Sequence, residues 1–385
     1  MTITLPVPFL NDSDEQSQFR DSVLRSLARL YDFDTRRGRL AAGDSAAPEV
    51  WAEFADLGWL AAPFSEADGG FGGGPRDFAI VMEGIGRALV LEPVLFNVAL
   101  AGQVLARVGS SEQKALCLIP MTEGRSRLAL GHVETQSRHR VTDCATRAVA
   151  SGTGWRLNGT KIAVFGAASA DWLIVSARVS GGRRDAAGLG LFLLPATAPG
   201  VTLTPCNTVD GRGAAQVTLS DALAEPLGDP EGGADTLHWA TDYAAVMTCA
   251  EAIGAMSAVL EQTLTHLKTR EQFGAPLISN QALQFRVVDL WIEICECRAL
   301  LDEALDLLGH GPSGALSQAV AAAKARSAQA ARRVGQEAVQ LHGALGTTDD
   351  VAASHYLKRL TVLEMSFGNA DHHLQRLADA LFARN

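Results

Sequence analysis

No CxxC pair occurs among the six cysteines, Cys117, Cys144, Cys206, Cys249, Cys295 and Cys297. Their scattered spacing offers neither a zinc site nor a disulfide framework. Cys295 and Cys297 stand two apart on an expected helix and point to different faces. No apolar run approaches the ~20 residues that a bilayer span needs. The opening stretch, residues 1–16, lacks a basic segment followed by an apolar one, so it carries no secretory signal. Positive charge is not in excess either: 43 acidic residues against 33 basic ones leave a formal charge of −10. Such a chain lacks the field that attracts a phosphate backbone. No repeat with a period of roughly 20 to 50 residues is visible. Nucleic acid and membrane are thereby disfavoured as partners, and a small-molecule partner in the cytoplasm is expected.

What is present is a globular composition, 47% hydrophobic and 20% charged over 385 residues. That length exceeds the roughly 250 to 300 residues at which single cores stop growing, so several domains are expected. The hydrophobic period changes twice along the chain. Residues 1–125 read as an N-terminal helical domain, in which Ser13 followed by Glu15 and Gln16 can cap a helix whose apolar positions Phe19, Val23, Leu27 and Leu30 recur at helical spacing. A second helix is placed near 48–58 through Trp51, Phe54 and Leu57. The glycine run at 69–74 superficially resembles a phosphate loop, but no strand precedes it, and a turn between helices is the preferred reading. Residues 126–235 turn to short β-branched runs with crowded turns, the pattern of a middle antiparallel β domain without intervening helices. Residues 236–385 return to helical period near 238–270, 278–309, 314–342 and 350–382, forming a C-terminal four-helix domain. The fold class is therefore α+β, in the order helices, β domain, helices. The Ala-rich stretch around 319–334 suits close helix packing, although helix propensity alone would also explain it.

An ordered series of short motifs runs through nearly the whole length: Trp-Ala-Glu-Phe-Ala-Asp-Leu-Gly-Trp at 51–59, Trp-Arg-Leu-Asn-Gly-Thr-Lys at 155–161, Arg-Glu-Gln-Phe-Gly-Ala-Pro at 270–276, Gln-Ala at 281–282, and Gln-Leu-His-Gly-Ala-Leu-Gly-Thr-Thr at 340–348. In this register the chain resembles the acyl-CoA dehydrogenase family. The resemblance implies FAD bound between two subunits and removal of hydrogens from the α and β carbons of an acyl-CoA thioester. A carboxylate takes the α proton while the flavin accepts the β hydrogen as hydride, because the weakly acidic α carbon needs an electron sink. It also implies that an electron-transferring flavoprotein is the acceptor.

The family's residues divide into two sets here. Those that grip the FAD diphosphate are retained: Arg270, Gln272 and Phe273 match one motif, and Gln340, Gly343 and Gly346 the other, with Ala344 in place of one glycine. A guanidinium suits a diphosphate, and glycine lets the backbone approach it. The flavin-side set is altered. Counting back from Lys161, the Thr-Glu-Pro loop becomes Val133, Glu134 and Thr135, its Ser-Asp pair becomes His139 and Arg140, and the threonine beside the flavin becomes Phe165. Both base positions are also changed, to Phe367 and to Ala244. Asp242 keeps the family's CoA-contacting aspartate, while its arginine partner is Ala245; a helix N-terminal carboxylate is the competing reading of Asp242. Glu251 and Glu364 are the available substitute bases; Glu251, flanked by alanines, reads as partly buried, and a buried carboxylate would have a raised pKa useful to a base. Seven residues separate it from Ala244, ~10 Å along a helix. His372 and His373 read as surface or interface residues, since neighbours on a helix point about 100° apart.

The run Ser-Phe-Gly-Asn-Ala-Asp-His-His at 366–373 resembles a subgroup in which two paralogous chains form an α2β2 heterotetramer and only one keeps the base and flavin pocket. The resemblance thus implies the non-base chain, completing FAD binding for a catalytic paralogue, with bulky acyl groups such as steroid side chains or rings accommodated by the second pocket. The alternatives are an autonomous dehydrogenase or flavin oxidase using Glu251 or Glu364, and a non-catalytic acyl-CoA-binding protein.

Overall fold

The computed structural model describes residues 12–152 and 154–382. Most of the stretch read as lacking a secretory signal, residues 1–11, lies outside the described residues.

The N-terminal third is helical: α1 (Asp14–Leu30), α2 (Phe33–Ala41), α3 (Pro48–Asp56) and α4 (Pro75–Ala88), then a π-helical stretch Leu95–Gly102 running into α5 (Gln103–Val108), with short turns α6 (Ser111–Gln113) and α7 (Ile119–Thr122). Ser13 and Gln16 cap α1 reciprocally, the Ser13 hydroxyl accepting from the Gln16 N–H and the Gln16 side chain from that of Ser13. Seven strands follow, β1 (Leu128–Gly131), β2 (Arg147–Ser151), β3 (Gly154–Phe165), β4 (Trp172–Arg178), β5 (Leu189–Pro195), β6 (Val201–Asn207) and β7 (Gly213–Pro226). They pair in the order β1-β4-β2-β3-β7-β5, with β6 on β7 and β4 also on β5. The ladder β4-β2-β3-β7-β5 therefore closes on itself, and its ladders are antiparallel except where β4 runs parallel to β1 and β2. Inside lie Leu157, Val164, Leu173, Val175, Phe192, Leu194, Val217 and Leu219, all buried.

The C-terminal part is α8 (Gly233–Thr269), a two-residue hairpin β8 (Glu271–Gln272) and β9 (Ala275–Pro276), α9 (Gln281–Leu308), α10 (Gly314–His342), α11 (Ala352–Met365) and α12 (Ala370–Phe382). The single helical segment expected over 350–382 is thus two helices. The break falls at Phe367 and Gly368, whose φ angles of 55° and 107° cannot continue a right-handed helix. The α8 helix also corrects the statement that no apolar run could span a membrane. Its most apolar 18-residue window has a mean hydropathy of 1.5, but that window is wholly buried, as in a core helix.

By contacts the chain divides into two compact units: one made of the segment ending at Gly38 with Pro75–Val90 and everything from Ala245, the other of Arg39–Gly74 with Leu91–Ala244. In the first, the alanines of α10 are buried where it packs on α9, α11 and α12. Two glycines let α4 and α8 touch through their backbones. A Cβ on Gly86 would lie 1.9 Å from the Glu251 carbonyl, and one on Gly254 would lie 1.9 Å from that of Glu83. Beyond α4 the buried carbonyls that follow the helix are met by side chains. The Arg36 Nε donates to the Leu89 carbonyl at 2.9 Å, and the Arg359 Nη2 donates to that of Val90 at 2.8 Å. In the second unit, the glycine run 69–74 forms a turn, in which a Cβ at Gly70 would sit 2.0 Å from the Phe64 carbonyl.

Candidate functional site

The hairpin after α8 is a two-residue turn. Gln272 pairs with Ala275 and Glu271 with Pro276, leaving Phe273 and Gly274 at the tip with φ of 55° and 79°. Both positive values match the turn whose twist suits a short hairpin. Glycine takes this conformation freely, whereas Phe273 holds it at a cost of roughly 1–2 kcal/mol. The residue is fully exposed. Arg270, also exposed, follows the last turn of α8, where its N–H donates to the His266 carbonyl at 2.8 Å and its own carbonyl accepts from Leu277.

The second motif ends α10. Gln340 and Gly343 are exposed, with Gly343 at φ 63°, and Gly346 is buried where a Cβ would fall 2.5 Å from the Val339 carbonyl. The two motifs meet through a contact that sequence reading missed. The rings of His266 and His342 stack with centroids 4.6 Å apart. His266 precedes Arg270 by one helical turn, so its spacing was a usable signal. Burial, with the neighbouring His342 and Arg270, pushes the His266 imidazole below its usual value. This end of the unit thus collects Arg270, His266 and His342 beside two glycine-containing turns, an arrangement suited to an anion.

The positions aligned with the base are both apolar. Ala244 is fully buried on α8. Phe367 sits in the break between α11 and α12, a turn that is firmly held. The buried Lys324 ammonium donates to the carbonyls of Leu363, Glu364 and Gly368 at 3.1, 3.0 and 2.9 Å. The Phe367 carbonyl lies 2.9 Å from His373 Nε2. Burial pushes Lys324 down to about 8. His373 is completely buried within the chain, which corrects its reading as a surface or interface residue; burial and Lys324 hold it far below the usual imidazole value. Among the described residues no group of three or more His, Cys, Asp or Glu is placed to hold a metal, and all six cysteines are free.

Both substitute bases are engaged in ion pairs. Glu251 is fully buried, and the Arg359 Nη1 donates to its Oε1 at 2.8 Å. Glu364 is buried against Arg332, which donates to it. Asp242 is half-buried and lies about two and a half turns into α8, because that helix begins at Gly233 rather than near 238. A helix-dipole role for Asp242 is therefore ruled out, since the dipole acts within the first turn.

In the β unit, Glu134 is buried and accepts from Lys161 Nζ at 2.6 Å, from the Thr146 hydroxyl at 2.6 Å and from the Ala145 and Thr146 N–H groups. Burial alone would raise its carboxyl, but the Lys161 charge and these donors hold it well below the usual carboxylate range. Val133 is half-buried and Thr135 exposed. Phe165 stacks face to face on Phe96 with centroids 3.9 Å apart and planes 2° from parallel. The buried Arg212 lies over both rings at 5.5 and 5.6 Å. A closed aromatic pair with a cation above it therefore occupies the position aligned with the family's threonine.

The chain belongs to the acyl-CoA dehydrogenase family: the models of its N-terminal, middle and C-terminal domains match residues 13–125, 129–222 and 231–382. Members are FAD-dependent oxidoreductases that act on the CH–CH bond of acyl-CoA thioesters. The probable acyl-CoA dehydrogenase YngJ of Bacillus subtilis is 29% identical over 341 residues, 86% of this chain and 88% of that protein. Among solved structures, a variant of the Tcur3481-Tcur3483 steroid ACAD superposes with a TM-score of 0.86 at 30% identity, covering 96% of this chain and 98% of its own. The ChsE4-ChsE5 complex from Mycobacterium tuberculosis gives 0.88 at 25% identity, over 97% and 99%.

Proposed function

We propose that this chain is the non-base subunit of a heteromeric acyl-CoA dehydrogenase, supplying the diphosphate grip for an FAD whose flavin and base belong to a paralogous partner. The observation that carries this reading is the unequal fate of the two sets of residues. Arg270, Gln272, Phe273, Gln340, Gly343 and Gly346 lie on two turns joined by the His266–His342 stack, and most of them face solvent. The residues that would serve a flavin and a proton transfer are otherwise employed. Phe165 is closed on Phe96, Ala244 and Phe367 have no proton acceptor, and Glu251 and Glu364 are bound to arginines. This chain's grip fits the diphosphate of FAD, whereas its own β unit does not fit the flavin edge. A decayed enzyme would have lost residues from both sets. The two-component complexes among the similar structures support the same reading, and six free cysteines support a reducing, cytoplasmic setting. The proposed substrate is an acyl-CoA and the proposed acceptor an electron-transferring flavoprotein.

The test is visible flavin absorbance of the chain purified alone and co-expressed with a paralogue that carries a base, each titrated anaerobically with acyl-CoA. The expected result is flavin that appears and bleaches only in the co-expressed sample, one FAD shared by each pair of chains, and lost when Arg270→Ala is introduced. A yellow lone protein bleached by acyl-CoA overturns the proposal.

A further inference from the structure

The two glycine-containing turns at the end of the first unit hold little positive charge for the ligand they suit. A diphosphate diester carries one negative charge on each phosphate across the neutral range, whereas among the residues matched to the two turns only Arg270 is charged. Both turns also follow helix C-termini, α8 ending at Thr269 and α10 at His342. The partial negative charge of such ends repels an anion and favours a cation. Lys268 stands two residues after His266, about 200° around α8, and so points away from it. The imidazoles of His266 and His342 are the remaining groups that can become positive. Their rings stack with centroids 4.6 Å apart and planes 29° from parallel. His342 is buried, and its Nδ1 lies 2.8 Å from the Ala338 carbonyl. A carbonyl only accepts, so Nδ1 carries the hydrogen and the ring is held in one orientation. Two imidazolium rings this close would repel, so the stack holds one proton. His266, half-buried and one turn before Arg270, is the ring placed to take it, because the charge costs more on the buried partner. Burial, then His342, then Arg270 all push the His266 imidazole below its usual value. The carboxylates on the neighbouring elements do not counter them: Glu261 is paired with Arg87, Glu337 with Arg286, and Asp349 and Asp350 with Lys358 and Arg37, while Glu271 is exposed. The stack is therefore neutral at pH 7 in the chain alone, and a nearby anion reverses that balance.

We propose that the His266–His342 stack takes up one proton when this site holds the diphosphate of FAD, so that His266 supplies the second positive charge beside Arg270. This rests on the assignment of the diphosphate grip to these two turns, and not on which chain holds the flavin. The sign follows from the linkage of proton and anion. His266 titrates below the usual imidazole value when the site is empty and above it when a diphosphate is bound, so binding tightens as pH falls between those two values. One linked proton makes the affinity change by about tenfold per pH unit inside that window and leaves it flat outside.

The experiment is calorimetric titration of the full-length chain with ADP-ribose across roughly pH 5.5 to 8.5. Its diphosphate is a diester like that of FAD and has no proton of its own to exchange in this range. Each titration is repeated in two buffers of different ionisation heat, which counts protons on the native chain without any substitution. The expected result is uptake of about one proton per ligand within the window, with affinity rising as pH falls. His266→Phe keeps a ring on His342 but cannot take the proton, and should hold the ligand at the native high-pH affinity throughout. His266→Arg carries a permanent charge and should bind tightly with no pH dependence. A native chain that binds without proton uptake overturns the proposal, as does a His266→Phe chain that keeps the native pH slope. In either case binding that is lost in Arg270→Ala leaves the diphosphate grip standing. Binding that survives Arg270→Ala, or no binding at any pH, overturns the grip and the proton coupling with it.

Discussion

Replacing Glu251 by glutamine distinguishes a structural carboxylate from a catalytic one. Glutamine keeps the shape of the side chain and an accepting oxygen but removes its charge, leaving the buried Arg359 guanidinium without the carboxylate that neutralises it. Both members of the pair are wholly buried, and their contact is 2.8 Å. Breaking one side of such a pair costs about 3–5 kcal/mol, chiefly from the uncompensated charge. For a unit of this size that corresponds to a fall in melting temperature of roughly 10 °C. Differential scanning calorimetry at neutral pH reads it directly, and the drop should change little with salt because water and ions do not reach the pair. Replacing both residues, as Glu251→Met/Arg359→Met, should recover much of the loss, since a packed apolar pair avoids both desolvation costs. The reasoning is refuted by a Glu251→Gln protein that melts with the native one yet loses acyl-CoA-dependent flavin bleaching in the complex, for then the carboxylate acts on substrate.

Two further perturbations probe the same unit. Gly254→Ala puts a methyl group 1.9 Å from the Glu83 carbonyl and should cost about 1–3 kcal/mol or more as α4 and α8 are forced apart. Gly314→Ala meets nothing within 4 Å and should leave thermal melting unchanged or raise it slightly. The folded chain holds Lys324 near 8, against 10.5 for an unperturbed lysine. Between those values the unfolded chain binds a proton that the folded one does not, so stability rises with pH across that window, by up to about 3 kcal/mol. Urea unfolding of native and Lys324→Met proteins from pH 7 to 10.5 checks this, and parallel pH curves would sink it.

The sequence made much of the architecture legible, because its signals were local. The change of hydrophobic period marked the β segment, Ser13 and Gln16 marked the start of α1, and the boundaries of α10 were read as they occur. The break at Phe367 was not legible. Nothing but Gly368 signals it locally, and the lysine that stabilises it comes from α10, 44 residues earlier. The same limit applies to charge. Glu251 flanked by alanines suggested a partly buried carboxylate; it is completely buried, and its arginine lies 108 positions away. Motif spacing identified both turns of the diphosphate grip, yet their meeting through His266 and His342 depends on how α8 and α10 pack. The aromatic pair beside Arg212 joins Phe96 and Phe165 from separate elements, a partnership that neither residue advertises.

The first unit is assembled from three stretches of chain, and this sets the order in which the protein can be made. Glu83 meets Arg20 as soon as α4 leaves the ribosome, but its other guanidinium, Arg298 at 2.8 Å, is more than two hundred codons away. At elongation rates of roughly 5–20 residues per second that wait is on the order of ten seconds or longer. For most of it, the backbone face of α4 that receives Gly254 stays uncovered, while the β unit, complete by Ala244, can already close. Translation pausing before α8 would therefore extend the life of a half-built molecule with a buried-type carboxylate and an apolar helix face in water, the species a nascent-chain chaperone would be expected to hold.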